Sequence, residues 1–290
     1  ATMHVCSAFG LLRRKTMKNK RTPMSALTTR RQWLHHTVAS GLSMSSIGLP
    51  LAASAASPAF ESKTLLQVAK SFGAKSLSPS AEIKLNTLDY AENGGSVPMD
   101  LSTSLTGVER LVLFVEKNPT PLIAVFQLSE WTDVGLTLNT KMSQSSAVYA
   151  MAVTTDGRAF FAKKEVKVVL GSCGMVSEMP ENMDTKRPTE PTRIRAQIQA
   201  ESALVRMRMA HEMESGQRKN AAGQLVPAWY IDQVTILLNG KPVLTGDWGP
   251  GVARNPYLQF KLKKVKAGDK LSVVWRDNKG GMRGDDLLLV

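Results

Sequence analysis

Arg193-Ile194-Arg195-Ala196-Gln197-Ile198-Gln199-Ala200 alternates polar and apolar residues without a break. Ile194, Ala196, Ile198 and Ala200 fall on one side of an extended chain and the Arg and Gln residues on the other, the period of two of a half-buried strand. Val205, Met207 and Met209 repeat the pattern against Arg206 and Arg208. Further strands are expected around Asn239-Gly240, around Leu258-Gln259-Phe260-Lys261-Leu262, and from Leu271 to Trp275 after the Gly268-Asp269 turn. No helix-period pattern longer than two turns interrupts them. Residues 193–290 therefore read as an all-β sandwich.

Working back toward the N-terminus, Val176 to Thr192 holds Pro180, Pro188 and Pro191 among charged and polar residues and reads as a linker. A segment of this length spans roughly 20–25 Å, ample to let two domains dock side by side. Before it, Ile83 to Leu170 is again β in pattern. Val97, Met99 and Leu101 alternate, as do Val134, Leu136 and Leu138, and Leu111-Val112-Leu113-Phe114-Val115 is a continuous buried run. Asp156-Gly157 supplies a hairpin turn between Tyr149–Val153 and Phe160–Ala162. Leu65, Val68, Ala69 and Phe72 share one face of a short amphipathic helix. The expected fold is all-β: two immunoglobulin-like β-sandwich domains, 56–175 and 193–290, joined by the Pro-rich linker 176–192, with a short N-terminal helix on the first.

The strand Val166-Lys167-Val168-Val169-Leu170 drives into Gly171-Ser172-Cys173-Gly174. Gly171 and Gly174 lack Cβ atoms and let the backbone turn freely on either side of the thiol. A free cysteine is often a small core residue. Core positions seldom stand between glycines at the start of a linker, and this favours an accessible sulfur.

The formal charge of +13 is concentrated: residues 1–55 carry eight Lys and Arg and no acid. What remains from residue 56 is +5, interleaved with acids, so no nucleic-acid partner is expected. No span reaches the ~18 apolar residues of a membrane helix. Thr28-Thr29-Arg30-Arg31-Gln32-Trp33-Leu34, an apolar stretch from Val38 to Leu51, and Ala53-Ser54-Ala55 form the ordered triplet of a twin-arginine export signal. Residues 1–55 are expected to be removed, with Met24 as the true start, and the mature chain to be periplasmic. Cleavage after Ala55 discards Cys6, His4, His35 and His36 and leaves one cysteine, Cys173, and one histidine, His211. That excludes a Cys/His zinc site, and no cofactor motif is present. His211 beside Glu212 and Glu214 reads as part of a polar loop, solvated or structural. One reactive group without catalytic apparatus points to a carrier.

Ala91-Glu92-Asn93-Gly94-Gly95-Ser96-Val97-Pro98, the Thr155-Asp156-Gly157 hairpin and the ending Val166–Gly174 resemble SoxY, the sulfur-carrying subunit of the bacterial thiosulfate-oxidising (Sox) system. Met213-Glu214-Ser215-Gly216-Gln217-Arg218-Lys219, Pro227-Ala228 and Asn255-Pro256 resemble its partner SoxZ. The resemblance implies a SoxY–SoxZ fusion that is not itself an enzyme. It implies that Cys173 is the covalent attachment site for sulfur-oxidation intermediates and that Gly171 and Gly174 flank a carrier arm. It further implies client enzymes of the Sox type: a cytochrome, a sulfate thiohydrolase and a sulfur dehydrogenase. The family ends Gly-Gly-Cys-Gly-Gly; here Ser172 and Met175 stand in place of two of those glycines, and the arm continues into a second domain. Fused carriers of this kind are also associated with quinoprotein alcohol dehydrogenases, and an adaptor with an intermolecular disulfide is a reading from another class.

Overall fold

The computed structural model describes residues 58–170 and 190–290. The expected export signal of 1–55, and Gly171, Cys173 and Gly174 with most of the linker, lie outside the described residues.

A 3-10 turn at Pro58–Glu61 precedes α1 (Leu65–Ser71). The first half continues with β1 (Ser76–Pro79), β2 (Ile83–Thr87), β3 (Tyr90–Asn93), β4 (Val97–Thr103), β5 (Val108–Val115), β6 (Leu122–Leu128), β7 (Thr132–Thr140), β8 (Ser146–Thr154) and β9 (Arg158–Leu170). The second half gives β10 (Arg193–Gln199), β11 (Ser202–Arg208), β12 (Ile231–Leu238), β13 (Lys241–Trp248), β14 (Tyr257–Lys263), β15 (Lys270–Asp277) and β16 (Met282–Leu288). Two β-sandwich halves and one short N-terminal helix are what the sequence predicts.

The halves do more than dock. β6 pairs with β13, with Phe126 opposite Gly246 and Ala124 opposite Trp248. β7 pairs with β14, with Leu138 opposite Leu258 and Leu136 opposite Phe260. Both sheets consequently run through the seam: the larger in the order β1-β9-β8-β5-β6-β13-β12-β15-β16, the smaller β10-β11-β14-β7-β4-β2. One apolar core fills the space between them, from Met99, Leu111 and Phe126 to Trp248, Phe260 and Trp275. Each such fully buried side chain contributes about 1.5–3 kcal/mol. The six that straddle the seam (Phe126, Leu136, Leu138, Trp248, Leu258, Phe260) thus rival the net stability of a whole domain, about 5–15 kcal/mol.

The uninterrupted run Leu111–Val115 has a direct cause. Leu111, Leu113 and Val115 face the core between the sheets, whereas Val112 and Phe114 face α1, whose Leu65, Val68 and Ala69 close the outer side of the larger sheet. A strand covered on both faces has no reason to alternate. α1 itself begins at Thr64, whose hydroxyl accepts the Gln67 N–H while the Gln67 side chain accepts from Thr64 N, a reciprocal capping box.

Strand direction decides what shares an end. From β9 to β16 every neighbour in the larger sheet is antiparallel. The connection from β6 to β7 turns at the far pole, and alternation through the smaller sheet then fixes β10 and β11. The end of β9, the start of β10 and the long connection 209–230 therefore meet at one pole. Hydrogen bonds among its loops agree: Met142 N to Gly94 O at 2.7 Å, Lys141 N to Gly251 O at 2.7 Å, and Asn255 N to His211 O at 2.8 Å.

Candidate functional site: the pole that carries the root of the cysteine segment

β9 delivers the chain to this pole, and its last residues are held from both sides. On one flank β3 runs parallel to it, with Ala91 opposite Val168 and Asn93 opposite Leu170, and Lys167 N donates to Asp89 O at 3.0 Å. On the other, Ser145 Oγ accepts the Val168 N–H at 2.9 Å, beyond the point where β8 pairing ends at Ser146 and Val166. The alternation of the sequence survives to the end: Val166 is buried and Val168 packs on the core, while Val169 is 54% exposed. Tyr90 is likewise exposed on the outer face of the β3–β9 pair.

Next to this root, the two halves are tied together. Lys141 Nζ donates to Met213 O and, at 3.1 Å, to Pro250 O. Asn118 Nδ2 donates to Lys141 O at 2.7 Å and its Oδ1 accepts Ser143 N at 3.0 Å. Met213 holds a φ of 52°, a left-handed conformation unusual for a side chain of its size. Three contacts retain it: the bond from Lys141, Met213 N donating to His211 Nδ1 at 3.0 Å, and Ile231 N donating to Met213 Sδ at 3.3 Å.

His211 is structural. Its side chain has 0% exposure, its ring lies 4.6 Å from that of Trp229 and edge-on to Trp275 at 5.7 Å. Because Nδ1 accepts a backbone N–H, the proton of the neutral ring sits on Nε2. That atom faces Asp277 Oδ2 at 3.7 Å, beyond hydrogen-bond distance. Asp277 accepts instead from Trp229 Nε1 at 3.0 Å, Gly281 N at 2.8 Å and Lys279 N at 2.9 Å. Burial pushes this carboxyl up, yet the His211 ring, the Trp229 indole and the two backbone donors outweigh it and hold it at about 2. The imidazole is thus packed between two indoles, away from solvent.

The polar run after His211 is equally architectural. Glu214 Oε2 pairs with Arg218 Nε at 2.8 Å and Glu214 Oε1 accepts Gly216 N at 3.2 Å. A Cβ on Gly216, whose φ is 82°, would stand 3.2 Å from the Ala228 Cβ. These motif residues thus shape the loop against Pro227-Ala228. The sequence reading left His211 open between solvated and structural; the flanking Trp229 and Trp275, and Asp277 before a Gly-Gly turn, are the signals that pointed inside. Among the described residues no group of three or more His, Cys, Asp or Glu could hold a metal ion, and no helix is long and apolar enough to cross a membrane.

The interval 171–189 leaves this pole at Leu170 and rejoins it at a fixed point. Thr192, the last residue of the expected linker, is buried rather than solvated: its N–H donates to Asp285 Oδ2 at 2.8 Å and its hydroxyl accepts Trp275 Nε1 at 3.2 Å. Comparison with family models gives the decisive result. Residues 68–173 match the sulfur oxidation protein SoxY, a match that ends on the cysteine itself, and residues 193–287 match the sulphur oxidation protein SoxZ.

The chain belongs to both families, SoxY followed by SoxZ in one polypeptide.

The SoxY half supplies the root and the SoxZ half the braced 209–230 connection beside it. No match is found among curated proteins. Among solved structures, the sulfur carrier protein SoxY from Chlorobium limicola f thiosulfatophilum is 27% identical over 35% of this chain and 91% of its own, with a TM-score of 0.32. A superoxide reductase (neelaredoxin) from Ignicoccus hospitalis is 17% identical over 30% of this chain and 82% of its own, with a TM-score of 0.28.

Proposed function

We propose that this SoxY–SoxZ chain is a periplasmic covalent carrier of sulfur-oxidation intermediates. Residues 1–55 act as a removable twin-arginine export signal, and Cys173, flanked by Gly171 and Gly174, is the attachment site. The observation that supports this most directly is that the SoxY match stops at Cys173, three residues beyond a strand end gripped by β3 and Ser145. Covalent geometry keeps the Cys173 Cα within about 10 Å of Leu170. The braced pole thus sets where the sulfur is offered.

Joining a thiol to thiosulfate forms an S–S bond, breaks the S–H bond and releases one proton and two electrons. The electrons pass to a client cytochrome, the acceptor that the SoxY resemblance implies. A thiohydrolase and a sulfur dehydrogenase then work on the bound group. Only the thiolate is nucleophilic, and an exposed thiol in an oxidising compartment is otherwise lost to mixed disulfides. Because the segment is bound to protein on both sides, its clients present an open cleft.

The test is the intact mass of the mature protein purified from periplasm, before and after reduction, beside Cys173→Ser. Reducible adducts of sulfane or thiosulfonate mass that vanish in the variant support the carrier. A clean free thiol, or only a disulfide of twice the chain mass, overturns it in favour of the dehydrogenase-associated or adaptor reading.

A further inference from the structure

The outer face of the smaller sheet, in the SoxZ half, carries cations in neighbouring positions. β10 presents Arg193 and Arg195, β11 presents Arg206 and Arg208, and β14 presents Lys261 and Lys263, all exposed. The register sets Arg193 directly opposite Arg208 and Arg195 directly opposite Arg206. Lys261 stands opposite Leu204 and Lys263 opposite Ser202. None of the three strands contains an Asp or Glu. Arg206 Nε donates to the neutral Gln259 Oε1 at 2.8 Å, and Arg193 reaches the exposed Glu190 at 4.0 Å. Among the described residues Arg195, Arg208, Lys261 and Lys263 make no ion pair. Residues 193–290 hold sixteen Lys and Arg against nine Asp and Glu, whereas 56–192 hold thirteen against fifteen.

Folding alone does not account for this arrangement. Like charges directly opposite each other across an antiparallel pair are destabilising. Cations on an edge strand guard against edge-to-edge aggregation, which covers β10. That reason does not extend to β11, an inner strand between β10 and β14 that carries the matching arginines. Half-buried Leu204 and Tyr257 lie among the charges, giving guanidinium planes and lysine stems apolar surface to lie on. A mixed cationic and apolar face suits the surface of a protein better than a bare phosphate polymer.

We propose that this face docks an acidic surface of a protein partner. The contact is separate from any chemistry at Cys173, and it follows from the SoxZ half whether or not the cysteine carries sulfur.

The experiment places a photo-crosslinker within the face, Gln197→p-benzoylphenylalanine, in the full chain in its own cells, with Asn86→p-benzoylphenylalanine on β2 of the same sheet as the control. Irradiation is expected to give a protein adduct at 197 and not at 86, with the crosslinked partner peptide rich in Asp and Glu. Adding Arg195→Glu and Arg206→Glu should cut the yield at least tenfold, and Arg195→Gln with Arg206→Gln should cut it less. The Gln pair removes the cross-strand repulsion and should melt no lower than the parent, whereas the Glu pair exchanges one directly opposed like-charge pair for another among the remaining cations and should melt close to the parent. A loss of adduct without a fall in melting temperature separates lost docking from lost folding. Cys173→Ser should leave the yield unchanged. The proposal is overturned by an adduct no stronger than the control, by a partner peptide that is not acidic, by adducts with nucleic acid or lipid, by indifference to charge reversal, or by loss of the adduct in Cys173→Ser.

Discussion

Ser145 Oγ accepts the N–H of Val168 at 2.9 Å and returns toward its carbonyl at 3.4 Å, the last side-chain tie on that flank of β9 before the strand ends at Leu170. Ser145→Ala is expected to cost about 1 kcal/mol of global stability, the net worth of a typical hydrogen bond. The sharper effect is local: amide exchange at Val168 should quicken at least tenfold while Lys167, tied to Asp89 on the other flank, keeps its protection. Unchanged exchange at Val168 would mean that β3 alone holds the root.

Asp277 controls the acid limb of stability. Its carboxyl is depressed from 3.8 to about 2 in the folded chain, so the folded state binds fewer protons than the unfolded one across that interval. The stabilisation, about 2–3 kcal/mol, is complete above pH ~4 and lost as pH falls toward ~2. Denaturant titrations from pH 7 to 2 should show this loss in the parent and a flatter acid limb in Asp277→Asn, which starts less stable at pH 7. Gly281→Ala should be similarly harmful, because a Cβ there would lie 2.3 Å from Asp277 Oδ2.

At the seam, a Cβ on Gly246 would meet Trp248 Nε1 at 2.8 Å and Phe126 Cε1 at 3.2 Å. Gly246→Val should therefore destabilise by about 1–3 kcal/mol through overpacking. Since both sheets cross the seam, calorimetry of the mature parent chain should give one transition for the two halves. Two resolved transitions would contradict the shared core.

Lys141→Met removes the donor that serves Met213 O and Pro250 O. An expected loss of about 1–3 kcal/mol follows from leaving part-buried carbonyls unpaired. A melt unchanged by the substitution would show that the backbone pairing of β7 with β14 suffices.

Strand periodicity was legible because it depends on which side of each strand meets the core, and the stretch 193–199 states that side residue by residue. Ala200, expected inward, is instead exposed in the turn after β10 with a φ of 54°. The double burial of Leu111–Val115 was also visible as a run without alternation, although α1 as its cover was not. The seam was hidden for a physical reason: period two reports the face of a strand, whereas pairing of β6 with β13 happens at its edge through backbone groups every residue shares. His211 stayed open between solvated and structural for a similar reason, since nothing in the sequence tells that Arg254 and Arg218 neutralise the adjacent Glu212 and Glu214. The thiol lies outside the described residues; in the sequence Gly171 and Gly174 single it out, and the family match ends on it.

The seam also bears on synthesis. Split at the linker, the SoxY portion would display bare edges at β6 and β7, and the SoxZ portion at β13 and β14, four ladders of open backbone ready to pair with any extended stranger. In one polypeptide each ladder meets its mate in cis, at an effective concentration set by the tether and not by cellular abundance. Stoichiometry is then fixed by translation, and neither portion needs to wait, adhesive and incomplete, for a separately made companion.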